Sequence, residues 1–217
     1  MKNNFIQTLI QKSQPHWHHY VEHDFVQQLG QGILPLSSFQ YYLKQDYLYL
    51  FHYNRALALA MFKAENFAQM RDIHQAIEVL LQEIQLHIDF CREWGISEQE
   101  LLTLDEDPAC VAYTRYVLDC GMTGGLAELY AAIAPCAIGY AEIGLRLTQQ
   151  NIAPNNPYQK WIDSYASESF QTAVEKYKDF LTALCQDLNA KQLANIQHIF
   201  TTATRMEVAF WQMGLDH

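Results

Sequence analysis

The chain is 217 residues long, half of them hydrophobic and 18% charged, which excludes wholesale disorder. A formal net charge of −10 repels phosphate backbones, so no nucleic-acid partner is expected. Glycine and proline supply only 9 and 6 residues, so turns are few and the regular elements long.

The first twenty residues, Met1 to Tyr20, hold neither an apolar run of signal-peptide length nor a small-residue cleavage site. No window approaches about 18 uninterrupted apolar residues, so no membrane span is expected. The five cysteines (Cys91, Cys110, Cys120, Cys136 and Cys185) lack paired spacing, and neither a disulfide framework nor a zinc ribbon fits them. A soluble cytoplasmic protein is the expectation. Between the glycines and prolines the apolar residues recur at helical spacing. Helices are predicted over 3–13, 15–29, 37–64, 66–94, 97–103, 107–120, 124–150, 156–167, 169–187 and 189–214. Ser37-Ser38-Phe39-Gln40 reads as a capping box, Ser97 with Glu100 as a second, and Asn155-Asn156-Pro157 as a cap followed by a helix-opening proline. Pro154 with Pro157 marks a further break. No stretch alternates with period two, and no repeat or linker interrupts the chain. One all-α domain over 1–217 is predicted, with long helices packed as a bundle.

Chemistry in such a bundle is sought in polar groups set within apolar helical stretches. Asp46, Tyr49 and Tyr53 stand at i, i+3 and i+7, one face with a carboxylate and two phenols. Such a group can hold an amino-substituted ring or accept a proton, although an aspartate satisfied at a helix crossing gives the same pattern. Farther on, Pro135 falls inside a helical pattern and removes a backbone hydrogen bond beside Cys136, with Tyr140 one turn later. A free cysteine is commonly only a small buried hydrophobe. Glu207, Phe210 and Trp211 share a face, where desolvation raises a carboxyl pKa; the plainer alternative is a rim carboxylate paired with Arg205. Tyr113, Tyr116 and Tyr165 are further aromatics at helical spacing, a pattern more typical of core than of pocket. Among the histidines, His16, His18, His19 and the Glu83/His87 pair invite a metal search. No second ligand pair accompanies them, so no metal and no cofactor are expected.

In order along the chain these residues resemble the TenA family, the class called thiaminase II or aminopyrimidine aminohydrolase. The resemblance runs through Phe25-Val26, Gly30-x-Gly32-x-Leu34-Pro35, Phe39-x-Tyr41-Tyr42 and Gln45-Asp46-Tyr47-Leu48-Tyr49-Leu50. It continues through Glu83 and His87, Ala112-Tyr113-Thr114, Pro135-Cys136, Tyr158-Gln159-Lys160-Trp161-Ile162-x-x-Tyr165 and Glu207-x-x-Phe210-Trp211. It implies a heme-oxygenase-like helical bundle, assembled as a homotetramer. It also implies hydrolysis of 4-amino-5-aminomethyl-2-methylpyrimidine, and of thiamin, to the hydroxymethylpyrimidine used in thiamin salvage. By the same resemblance Cys136 would be the nucleophile and Glu207 the general acid and base. Asp46 would contact a ring nitrogen and the 4-amino group, and Tyr113 would hydrogen-bond near the sulfur. Tyr49, Tyr140, Tyr165 and Phe210 would line the pocket.

Two departures from the family pattern stand out. Ala137-Ile138-Gly139 follows the cysteine where family members often carry larger aromatics, which implies a roomier pocket and an altered choice of leaving group. The chain also ends at His217, so no long tail is expected over the site. Two other classes compete. A diiron-type oxygenase on the same scaffold needs a His and carboxylate cluster, and a non-enzymatic pyrimidine-binding regulator would not need both Cys136 and Glu207.

Overall fold

Eleven α-helices, and no strand, occur among the residues that the computed structural model describes, 3–150 and 155–217. They are α1 (Asn3–Lys12), α2 (His16–Val21), α3 (Asp24–Gln31), α4 (Leu36–Lys63), α5 (Phe67–Glu93), α6 (Glu98–Leu102), α7 (Pro108–Thr123), α8 (Leu126–Gln149), α9 (Gln159–Ala166), α10 (Glu168–Leu184) and α11 (Ala190–Leu215). The 28 residues of α4 span about 42 Å at 1.5 Å per residue, the full depth of the bundle.

Local chemistry sets most helix ends. Gly32 closes α3 at φ 72°, in the left-handed region that residues with a Cβ resist. Asp107 caps α7 by accepting from the Ala109 N–H, and Pro108 takes the first helical position, where a missing N–H leaves no bond unmade. Ser97 caps α6 through the Glu100 N–H, and Asn189 and Gln192 form a capping box at α11.

Three predicted ends are corrected. The span 15–29 is two helices, because His23 opens α3 with its Nδ1 accepting from the Phe25 N–H. Ser37 and Ser38 do not cap α4, which starts at Leu36 directly after Pro35 with no side-chain cap. Asn156 does not cap α9, and Pro157 does not open it. The Asn156 amide donates to the Leu29 and Gly30 carbonyls and its Oδ1 accepts from the Tyr158 N–H, so α9 begins only at Gln159. Pro154, expected at the same break, lies outside the described residues.

Helix α8 is the axis of the bundle, packed against α2, α4, α7, α9, α10 and α11. By length and a mean hydropathy of 1.3 it would cross a bilayer, which a search for uninterrupted apolar runs overlooks. In this fold 83% of that window is buried, so neighbouring helices take the place of lipid. Helix α11 packs on α8, α2, α7 and α4, while α5 leans on α4 and α6. The heart of the bundle is aromatic. Trp211 stacks on Phe25 with ring centroids 4.9 Å apart and meets Tyr42 and Tyr140 at 5.2 and 5.3 Å. Full burial contributes about 1.5–3 kcal/mol for a phenylalanine-sized side chain, so this cluster fixes α3, α4, α8 and α11 relative to one another.

Two glycines of α8 permit close approaches. A Cβ at Gly144 would lie 2.6 Å from the Tyr165 backbone, so α9 rests directly on α8. A Cβ at Gly139 would fall 2.1 Å from the Tyr20 ring, so that ring occupies the space a side chain would take.

Candidate active site

A cavity of about 710 Å³ opens among α4, α5, α8, α9 and α10. Asp46 and Tyr53 of α4, Glu83 of α5, Cys136 and Tyr140 of α8 and Tyr165 of α9 line it with mostly apolar neighbours. Within the run 131–140, Cys136 alone is not fully buried, and its exposure is to this cavity. Desolvation, and then the negative charge of Glu207, hold the thiol well above its ordinary pKa. It rests as a neutral thiol and needs a base to become nucleophilic.

The candidates Tyr49, Tyr113, Glu207 and Phe210 are not on the cavity wall. They form a buried layer behind Cys136. The Tyr113 hydroxyl donates to Glu207 Oε1 at 2.8 Å, the Tyr49 ring lies 5.0 Å from that of Tyr113, and Tyr49 opposes the rise in the pKa of the thiol. The phenol at the sulfur is therefore Tyr49, while Tyr113 serves the carboxylate. Phe210 packs edge-on against Tyr49 at 5.7 Å. Glu207 is 2% exposed, so it is no rim carboxylate, and desolvation lifts its pKa to about 8. The nearby Asp46 charge adds to that rise, and the hydroxyls of Tyr113 and Tyr20 oppose it. The result is an acid that titrates near neutrality, buried with two phenols behind the thiol.

Asp46 is buried, and its Oδ2 accepts from the Tyr42 hydroxyl at 3.1 Å. Burial raises it to about 7. His87 stands behind it on α5, with Nδ1 3.6 Å from the same oxygen and Nε2 2.9 Å from the Leu43 carbonyl. The carbonyl requires a proton on Nε2, so a neutral ring turns its bare Nδ1 toward Asp46. Desolvation holds the His87 pKa down at about 4, so the two groups are not an ion pair near neutrality. Glu83, one turn earlier on α5, accepts from the Tyr165 hydroxyl at 3.3 Å. Burial, and then the Asp46 charge, raise it to about 7. Three carboxyls of raised pKa thus share one region.

Ala137 is on the cavity wall, whereas Ile138 is buried and Gly139 faces Tyr20. Of the small residues after the cysteine, only Ala137 widens the cavity. Tyr20 instead uses the space at Gly139 to donate to the Pro135 carbonyl at 3.3 Å, and the charge of Glu207 is felt at its hydroxyl.

Tyr20, Tyr42, Glu83 and His87 were not among the sequence candidates for this site. Tyr42 precedes Asp46 by one turn, a spacing that could have revealed it. Glu83 and His87 enter the sequence reading as a possible metal pair and as part of the family resemblance, with no role at the site. Tyr20 gave no signal. His18 and His19 are exposed on α2, and among the described residues no three His, Cys, Asp or Glu side chains converge as a metal-binding group.

The TENA/THI-4/PQQC family matches residues 10–217. An uncharacterized protein of Haemophilus influenzae is 66% identical across 97% of this chain and 99% of its own length. The aminopyrimidine aminohydrolase of Halalkalibacterium halodurans is 36% identical, with 98% of this chain and 96% of that one covered. A solved TenA family transcription regulator from Silicibacter superimposes with a TM-score of 0.92 at 39% identity, covering 99% of this chain and 97% of that one. The chain belongs to the TENA/THI-4/PQQC family.

Proposed function

We propose that this family member is an enzyme that hydrolyses thiamin-related aminopyrimidines by cysteine catalysis. It converts 4-amino-5-aminomethyl-2-methylpyrimidine to the 5-hydroxymethyl compound, and splits thiamin at the same methylene. The observation that carries this reading is the cavity-facing thiol of Cys136 backed by the buried carboxyl of Glu207, which accepts from Tyr113 at 2.8 Å while the Tyr49 ring lies 5.0 Å from that of Tyr113. The aminohydrolase of Halalkalibacterium halodurans, similar along nearly its whole length, supports the substrate class.

The pyrimidine lies in the cavity with its ring nitrogen and 4-amino group on Asp46 and its faces against Tyr140 and Tyr165. As the sulfur adds to the ring carbon beside the substituted one, its proton passes along Tyr49 and Tyr113 to the Glu207 carboxylate. Addition ends ring aromaticity. The displaced electrons then break the exocyclic C–N bond, and the leaving nitrogen takes the bonding pair. The proton held by Glu207 returns through Tyr113 and Tyr49 where that nitrogen needs one, and the same route takes one from the water that adds to the exocyclic carbon. Departure of the thiolate restores the ring and recovers its proton.

The reading includes a reduced cytoplasmic setting, which keeps the thiol available. It also includes a homotetramer, because the exposed Phe62, Phe67, Val79 and Leu81 offer apolar surface for neighbouring copies. Ammonia release and thiamin loss, measured for wild type and Cys136→Ser, test the proposal. Cysteine-dependent release of ammonia is expected. Full activity in the serine variant would overturn the nucleophile assignment, and no turnover of either compound in wild type would overturn the substrate class.

A further inference from the structure

Of the carboxyls that line the cavity, Asp46, Asp72, Glu83 and Asp179, the mechanism above uses only Asp46, and of the other three Glu83 is the one whose charge is felt at the thiol of Cys136. Glu83 reaches the cavity from α5, and Cys136 reaches it from α8. One Glu83 oxygen accepts from Tyr165, and the residue is half-buried, open to the space a ligand would fill. Its charge is felt at Cys136, the charge of Asp46 is felt at Glu83, and all three line the same cavity, so Glu83 stands near the reacting centre. Among the described residues no lysine, arginine or histidine pairs with it. The wall around it includes Tyr53, Leu80 and Phe170, which cannot solvate an anion as water does, and the one lysine of the lining, Lys176, is exposed and makes no ion pair with it. A carboxylate so placed is stabilised most by a cation that the ligand itself brings.

We infer that Glu83 is the specificity-determining residue for the leaving group, its carboxylate holding the ammonium of a primary aminomethyl substituent. This rests on the functional reading above and adds a selection rule to it. An ammonium carries three N–H donors, so it can satisfy Glu83 with a charge-assisted hydrogen bond. The thiazolium nitrogen of thiamin carries charge but no N–H, and the hydroxymethyl product carries no charge. Glu83 therefore favours the amine substrate over both. It also keeps the amine protonated, so C–N cleavage sends the bonding pair to nitrogen and ammonia leaves directly. The Glu207 proton is then needed only at the sulfur and at water.

The test is calorimetric binding of the aminomethyl- and hydroxymethylpyrimidines to the Cys136→Ser protein, with and without Glu83→Gln. With Glu83 present, the amine should bind about 10-fold or more tightly than the alcohol. In the protein that also carries Glu83→Gln, the preference should fall to within about 2-fold, and affinity for the alcohol should change by less than about 3-fold. An equal preference in both proteins overturns the assignment while leaving the functional reading standing. Failure of the alcohol to bind the Cys136→Ser protein overturns the functional reading and the assignment with it. Should Glu83→Gln not fold, Glu83→Leu is read by the same ratio. In the otherwise wild-type enzyme, kcat/KM for the aminomethyl compound should drop at least about 30-fold with Glu83→Gln, against less than about 3-fold for thiamin. Parallel losses on the two substrates would also overturn the assignment.

Discussion

Gln45 and Asp46 are adjacent, equally buried and polar, yet they belong to two different regions of the molecule. Gln45 faces the joint between α4 and the start of α7. There its amide donates to the Asp105 carbonyl at 3.0 Å, its Oε1 accepts from the Asp107 N–H at 2.9 Å, and its own carbonyl accepts from the Cys110 thiol at 3.6 Å. Asp46 faces the cavity with one phenol donor and a histidine nitrogen that, in the neutral ring, has no proton to give. Burial alone therefore does not mark a functional group; the supply of partners does. A polar residue supplied on all sides acts as a fastener. One left short, with its pKa displaced, is set to interact with a ligand.

Substitutions can break this contrast. The largest effect is expected from Cys136→Ser, with turnover lowered about 10³-fold or more at unchanged thermal stability, read by ammonia release and a melting curve. Glu207→Gln should cost about 10²-fold or more and flatten the limb of the pH–rate profile that rises through about 8, where the carboxylate forms. An unaltered limb would place the proton acceptor elsewhere.

The sharpest comparison is Gln45→Ala against Asp46→Asn. The first strands two backbone groups and should cost about 2–3 kcal/mol of stability, with KM nearly unchanged. The second should weaken pyrimidine binding about 10-fold or more, with little loss of stability, by calorimetry and thermal melts. Equal losses of both kinds in both variants would erase the distinction.

The smallest effect concerns stability against pH. Asp46, Glu83 and Glu207 have folded pKa values near 7, 7 and 8, above their ordinary 3.8, 4.5 and 4.5. The folded state thus binds more protons than the unfolded one, and these groups make stability fall as pH rises from about 4 to 8. His87, held near 4 instead of 6.5, acts in the opposite sense between those values. Glu207→Gln should therefore raise Tm at pH 8 by a few degrees relative to wild type, and by less at pH 5, on the scale of about 2–4 °C per kcal/mol.

Much of the fold was legible because its punctuation is local. Gly32 stops its helix by a left-handed backbone, and Asp107-Pro108 starts one by a side-chain cap and a fixed φ. The errors arose where distant partners or an unusual cap decide. His23 caps with a ring nitrogen, and Asn156 turns from its own helix toward carbonyls more than a hundred residues away. The site divides in the same way. Asp46, Cys136, Tyr140 and Tyr165 stand on the cavity wall, all on helices whose apolar faces are visible in the pattern. The placing of Tyr49 near the sulfur, of Tyr113 on Glu207 and of Tyr20 at Gly139 depends on how α2, α4, α7, α8 and α11 cross, which periodicity does not specify.

The meeting of Tyr20 with Glu207 and Gly139 also has a consequence in time. Helix α2 is synthesised long before α11, yet the two are joined by Trp17 stacking on Phe200 at 5.6 Å and by the neighbouring Ser13–Thr201 bond at 2.8 Å. The chain must close a very long loop before the environment of the general acid exists. A growing polypeptide that has already released Cys136 from the ribosome still carries an idle thiol. On the proposed mechanism, catalysis switches on only once α11 has emerged and docked, so products of translation that stop short of that helix would be inert.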